Sequence, residues 1–288
     1  MQPLIWDRRP DGLRAPAMIC AFQGWNDAGD AASSAVSFLG ASLQARRFAH
    51  LEPEDFYDFQ ANRPTIRFDD DGKREISWPT VEVFEAAAQR APRDLVLVQG
   101  VEPSMRWRAF SAHLIDLAEA LGVQLVVSLG ALLGDLPHSH PVAITGHASD
   151  PALGERAGLV ASTYEGPTGI VGVLHSACAQ AGLPAASLWA CVPHYAAAAT
   201  SPKAALALVR RVERLIGVSV DVSELESAAA DYERQVELAV QSDPGIQEFV
   251  ERLEQAAEND RAGAAENVPS GDVLAREFQR FLRQRGKQ

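Results

Sequence analysis

The sequence predicts an α/β fold: an open, twisted, mainly parallel sheet flanked by helices, with a helical extension at the C-terminal end. Three observations lead to the α/β class. Apolar runs of strand length lie at 18–22, 95–98, 125–129 and 188–192, and they are continuous rather than alternating. Continuous runs mark strands buried on both faces, as in a parallel sheet covered by helices. Segments with apolar residues at helical spacing separate the runs, and each run ends in a motif bearing Gly, Pro and charge. In such sheets the ligand crevice lies outside the carboxyl ends of the strands. If the four runs are parallel neighbours, their motifs converge on one edge.

The elements follow in order. Met18–Phe22 forms a first strand that runs into Gln23-Gly24-Trp25-Asn26-Asp27. Asp27 is placed to cap a helix over 31–43, which presents Val36, Leu39 and Leu43 on one face. Residues 48–78 interleave apolar and polar side chains. Within them Thr65–Phe68 and Arg74–Trp78 flank Asp69-Asp70-Asp71-Gly72-Lys73, a β-hairpin pattern in which Asp71-Gly72 can supply positive φ angles. A second strand, 94–99, leads into Gly100-Val101-Glu102-Pro103 and a helix over 107–121. The third strand, 124–129, ends at Gly130 and leads on to Gly134-Asp135-Leu136-Pro137-His138-Ser139-His140. A short strand is expected at 142–146, and a glycine-rich turn at 164–169 opens a helix carrying Ile170, Val173, Leu174 and Ala177. The strand at 187–192 runs into Pro193-His194-Tyr195. Ser201-Pro202 is an N-cap followed by a proline at the first helical position, opening a helix to Ile216.

From Val218 the period is helical. Ser223 and Glu226 have the spacing of a capping box, and Asp243-Pro244 opens a second helix with Ile246, Phe249, Val250, Leu253 and Ala257 as its stripe. Together they predict an αα-hairpin. The chain thus divides into an α/β domain, 1–218, a helical hairpin extension, 219–257, and a flexible linker with a short C-terminal helix, 258–288.

Composition narrows the function. The 288 residues are 47% hydrophobic and 22% charged, ordinary for a soluble globular protein. A net charge of -12 argues against nucleic acid or an anionic membrane as partner. Residues 219–288 hold 15 acidic and 8 basic side chains, so the tail alone carries -7. The three cysteines, Cys20, Cys178 and Cys191, sit in apolar segments and are too few and too odd in number for a disulfide framework. No signal-peptide pattern opens the chain, and no apolar stretch reaches the roughly 18 residues of a membrane span. The expected location is the cytoplasm.

Several strand-end residues invite chemical readings. Asp135, His138 and His140 include standard metal-ligand types, but Pro137 and Pro141 bracket the histidines and no helical metal motif is present. A polar loop is the favoured reading, and no metal or cofactor is expected. Glu165-Gly166-Pro167-Thr168-Gly169 could hold an anion on backbone N–H groups, but it lacks the P-loop Lys and the dinucleotide framing. No Gly-x-Ser-x-Gly elbow occurs. An acid–base site could be assembled from Asn26, Asp27, Glu102, Arg106, His138 and His194. The competing structural reading has Asp27 capping a helix and Glu102 paired with Arg106. Asp135, Tyr164, Thr168 and Tyr195 complete the candidate crevice. Trp25, Trp107 and Tyr195 could stack a planar ligand, anchor a protein, or pack beneath the loops.

These motifs also carry a family resemblance. Gly24–Ala32, Gln99–Pro103 with Arg106-Trp107, Leu129–Leu132 with Asp135 and Pro137-His138, Tyr164–Gly169, and Ser187–Ala190 with Pro193–Tyr195 resemble, in this order, the proteasome assembly chaperone 2 family. The likeness spans about residues 16–257 and looks like the bacterial branch. It implies a phosphorylase-like fold, a non-catalytic protein acting through self-association, a trimer as the expected order, and a proteasome-related partner. Relatives that dock on the proteasome can use a hydrophobic-Tyr-any tail, whereas this chain ends Arg285-Gly286-Lys287-Gln288. The alternative is a binder of, or enzyme acting on, a nucleoside, phosphate or carboxylate at the strand-end crevice.

Overall fold

The structure, a computed structural model, describes residues 4–10, 12–69, 71–88, 91–159 and 165–263, the side chains of 260–263 excepted. In chain order these form β1 (Leu4–Trp6), β2 (Ala17–Gln23), α1 (Ala31–Ser42), β3 (Arg46–Leu51), β4 (Thr65–Phe68), β5 (Arg74–Ser77), β6 (Val81–Ala86) and β7 (Leu95–Val101). Then come α2 (Trp107–Ala120), β8 (Leu125–Gly134), β9 (Ile144–Ala148), α3 (Pro151–Ala157), α4 (Ile170–Gln180), β10 (Ala185–Pro193), α5 (Pro202–Ile216), α6 (Ser223–Ser242) and α7 (Pro244–Gly263).

Eight strands make one sheet in the order β1-β3-β6-β7-β2-β8-β10-β9, and β4 with β5 forms a separate ribbon. The four apolar runs are its four central strands, and they are parallel neighbours: β2 pairs with β7 and β8, and β8 with β10. The flanking strands join antiparallel. The sheet is therefore mixed, with most strands running the same way.

Both faces of the central strands are covered, which is why their sequences do not alternate. Ala17, Ile19 and Ala21 of β2 join a core with Val36 and Leu39 of α1 and Leu208, Val209 and Val212 of α5. Met18, Cys20 and Phe22 face the other way, into a core with Phe110 and Leu114 of α2 and Ile170 and Leu174 of α4. Each Val, Leu, Ile, Met or Phe side chain among these contributes about 1.5–3 kcal/mol relative to its exposed state, the alanines less. Leu225 of α6 reaches the first core, and α6 packs on α5 while α7 packs on α6. Among the described residues no helix is long and apolar enough to cross a membrane.

The structure departs from the sequence reading in several places. Strand β8 does not stop at Leu129: it continues through Gly130 and pairs with β10 as far as Gly134 opposite Pro193. A Cβ at residue 130 would lie 2.6 Å from the ring of Trp189, so glycine there leaves room for the indole to lie against the sheet. Strands β1, β3 and β6 and helix α3 add to the expected elements, and β9 sits two residues later than expected. The capping box at Ser223 does not form. Ser223 is the first residue of α6, its N–H and hydroxyl both donate to Asp221 Oδ1, and Glu226 pairs with Arg210 instead. The expected short C-terminal helix within 258–288 lies outside the described residues, as does Tyr164.

Candidate functional site

The strand-end motifs do converge on one edge, but their side chains divide into two groups with different partners. The first group ties four elements together behind β2. Asn26, 1% exposed, donates through Nδ2 to Glu102 Oε1 at 2.5 Å. The same Glu102 oxygen accepts from the N–H of Ile170 at 2.9 Å, the first residue of α4. A carboxylate suits that place, because the first N–H groups of a helix are unpaired and the helix dipole favours negative charge there. The carbonyl of Asn26 accepts from Ala131 N at 2.7 Å, so β7, β8 and α4 all meet at one amide side chain and its backbone. Gly169 is required beside it, since a Cβ there would come within 2.3 Å of Asn26 Oδ1.

Asp27 caps α1 as the sequence implies, although through a short 3-10 turn: Oδ1 accepts from Ala32 N at 2.6 Å and Oδ2 from Ser33 N at 3.2 Å. Burial raises its carboxyl above the ordinary value, and the bonds from Ser33 and Ala32 partly oppose that rise. Arg106 does not pair with Glu102. It adopts φ +56° before α2 and its guanidinium pairs with Asp55, away from Asn26.

The second group seats the C-terminal helices. His138 is 3% exposed, and its Nε2 lies 3.1 Å from Glu237 Oε2 on α6. Its backbone N–H donates to the Tyr195 hydroxyl at 2.8 Å, and its Nδ1 lies 3.0 Å from the same oxygen. Its carbonyl accepts from Lys203 Nζ at 2.5 Å, and Lys203 pairs with Glu233 on α6 at 3.0 Å. Asp135 pairs with His194 Nδ1 at 2.8 Å. The His194 and Tyr195 rings meet Phe249 of α7 edge to face, at 5.3 and 6.2 Å between centroids. Ser139 donates to Glu254 on α7 at 2.6 Å. Burial pushes the Tyr195 phenol up to about 12, so it remains a neutral hydrogen-bonding group.

The consequence for chemistry is direct. Asp135 and His138 turn to different partners, and among the described residues no three His, Cys, Asp or Glu side chains gather as a metal set. His138, the most buried of the candidate histidines, is engaged by Tyr195 and Glu237. Asn26, Asp27, Glu102, Asp135, His138, His194 and Tyr195 hold elements in place.

Thr168 has a different setting from the other candidate residues, in the wall of a cavity of about 300 Å³. That space lies between the first turns of α4, the middle of β9 and β10, and the end of β8, with Trp25, His147, His175 and Trp189 in its walls. The sequence reading missed His147, His175 and Trp189 as a group. A signal existed in β10, where Ser187, Trp189 and Cys191 alternate with Leu188, Ala190 and Val192 in a strand otherwise read as uniformly apolar. His147 and His175 come from β9 and α4 and meet only in the fold, their ring centroids 5.0 Å apart.

Comparison with known proteins fits this arrangement. The PAC2 family model matches residues 21–240. A PAC2 family protein from Streptomyces avermitilis is 50% identical, with 82% of this chain and 99% of that one covered and a TM-score of 0.76. A proteasome-assembly chaperone homologue from Mycobacterium tuberculosis is 45% identical, covering 81% and 99%, with a TM-score of 0.75. An archaeal proteasome activator from Pyrococcus furiosus shares the fold, at 17% identity over 82% and 97% of the two chains and a TM-score of 0.67. No curated protein matches the sequence. A family match over most of the chain, two similar structures near half identity, and strand-end motifs that serve as structural ties agree, and the chain belongs to the PAC2 family.

Proposed function

We propose that the chain is a non-catalytic protein of the proteasome-assembly-chaperone kind, acting in the cytoplasm through self-association and contacts with a proteasome-related protein. The family match and the 45% identical chaperone homologue support the class. The observation that carries the mode of action is the ribbon β4–β5, all of whose residues are exposed. Its register sets Ile66 opposite Ile76 and Phe68 opposite Arg74 on one face, and Trp78, just past the strand, packs edge to face on Phe59. Phe68 is 71% exposed and Ile76 57%. Thr65, Arg67, Glu75 and Ser77 form the opposite, polar face.

A two-stranded ribbon is marginal in water unless its apolar face packs against something. The occupant is a neighbouring copy of this chain, because an apolar contact lets two strongly acidic molecules meet without setting like charges against each other. A trimer is the expected order. The α/β domain, 1–218, is then the frame, and the extension, 219–257, with the segment 258–288 beyond it, presents further surface to protein partners. The cavity beside Trp189 favours a second reading, that of a small-molecule binder.

Light scattering after size-exclusion chromatography is expected to give a homo-oligomer. The double substitution Ile66→Ser and Ile76→Ser is expected to give a monomer with an unchanged circular-dichroism melt. On a native gel the wild-type protein is expected to co-migrate with purified proteasome α-subunits from the same cell. A monomeric wild type that forms no complex with those subunits would overturn the reading.

A further inference from the structure

The cavity beside Trp189 lies over β10 and β9, under the first turns of α4, close to the switch point of the sheet. After β2 the chain crosses by α1 toward β3, β6 and β7 on one side, while β8, reached from β7 through α2, lies on the other side of β2. The loops leaving β2 and β8 therefore part, at the kind of place where open α/β sheets take ligands, and the cavity borders that point. Trp25 follows β2, and Leu132 lies near the end of β8; both line the cavity.

The walls say what would fit. Trp189 lies against Gly130 in the middle of the sheet, yet it is only partly buried where Leu188 and Ala190 on either side are fully so. Leaving indole surface open at that position forgoes the stabilisation that covering it would give. His147 and His175 supply two more rings, and Thr145, Thr168 and Ser187 supply hydroxyl groups. Among the described residues, Lys, Arg, Asp and Glu are missing from the lining. Burial, and then His147, hold the His175 imidazole below its ordinary value, toward the neutral ring. A phosphate or carboxylate would find no fixed cation there to neutralise it. One nitrogen of His175, Nδ1, is buried without a hydrogen-bond partner among the described residues, a deficit that a small ring rotation toward a polar guest would relieve. The volume, about 300 Å³, is at the small end for ligand pockets and equals the share of about ten waters, room for a two-ring molecule.

We propose that this cavity is a binding site for a small, flat, uncharged heteroaromatic molecule, stacked on Trp189 and Trp25 and oriented by the surrounding hydroxyl and imidazole groups. The site is independent of the self-association surface, since the ribbon β4–β5 contributes no residue to it. The test is titration of the full-length protein with indole and with benzimidazole, followed by isothermal calorimetry and by thermal shift. Saturable heats and a raised melting temperature are expected with both rings. Indole-3-acetate is expected to bind no more tightly than indole, and inorganic phosphate to leave the melt unmoved. Trp189→Leu is expected to weaken ring binding at least tenfold. Thr145→Phe, which fills the cavity while leaving Trp189 in place, is expected to do the same with a native circular-dichroism spectrum. The proposal is overturned if neither ring binds saturably, if both variants bind as the wild type does, or if phosphate or the carboxylate binds more tightly than the neutral rings.

Discussion

Glu102 shows how a residue with the look of a catalytic acid can be structural. Its one carboxylate oxygen satisfies both the Asn26 amide and the first N–H of α4. Replacing it by alanine would leave a buried amide donor and a helix N–H unpaired, at a cost of about 1–3 kcal/mol. Urea denaturation of Glu102→Ala is expected to show a lower midpoint with an unchanged slope. An unchanged midpoint would mean that the tie is replaceable by water. His175 gives a second expectation at this scale. Its folded-state titration is depressed below the ordinary 6.5 by burial and by His147. The unfolded chain therefore takes up a proton near pH 6.5 that the folded chain refuses, so this contribution to stability is whole above that pH and is lost as pH falls below it. Between pH 7.5 and 5.5 the wild type is expected to lose more stability than His175→Gln. Equal losses would remove the ring from the account.

At the scale of elements, the second strand-end group is a seat for α6 and α7. The contact of Phe249 with His194 and Tyr195 holds α7 at the edge of the sheet. Phe249→Ala is expected to speed amide exchange across 244–258 by about tenfold and to leave the exchange of β2 unchanged. Uniform acceleration over the whole chain would instead show that α7 unfolds only with the core. The elements were unevenly legible in the sequence. The central strands stood out because both faces are buried, and Ser201-Pro202 marked α5 because Ser201 Oγ accepts from Ala204 N as a cap should. Asp150-Pro151 carries the same signal for α3, with Asp150 accepting from Leu153 N, but that helix has only 7 residues and so no apolar stripe to support its cap. Strands β1, β3 and β6 were hidden for a different reason. They lie toward one margin of the sheet and are short, and β3 carries Arg46, Arg47 and His50 among its buried residues, so no apolar run announces them. Ser223 misled because its spacing to Glu226 is right, but Asp221 two residues earlier takes both of its hydrogens.

For the whole molecule, the sequence told more about kinship and architecture than about the site. Which strand ends meet is a property of strand order, and the runs marked the strands but not the order β7-β2-β8-β10 in which they pair. Which side chains fill the resulting edge depends on helices from far along the chain. Glu237, Glu254 and Phe249 come from α6 and α7, and no local pattern at His138 or Tyr195 foretells them. Charge acts at this scale too. With -12 net charge, copies of the chain repel, and the range of that repulsion shrinks from about 30 Å at 0.01 M salt to about 10 Å at 0.1 M. Raising sodium chloride from 20 to 300 mM is therefore expected to shift the mass distribution in sedimentation velocity toward the oligomer. A shift toward monomer would place salt-sensitive ion pairs, rather than the apolar ribbon, at the interface.

The tie at Asn26 also bears on the order in which the chain assembles. Its partners lie 76 residues away at Glu102, and Glu102 in turn reaches 68 residues further to Ile170. Bonds that close loops of that length are entropically costly until neighbouring strands already hold the ends together. The amide at residue 26 is therefore a latch that closes late, and its closure marks the moment at which two distant parts of the chain have both found their places.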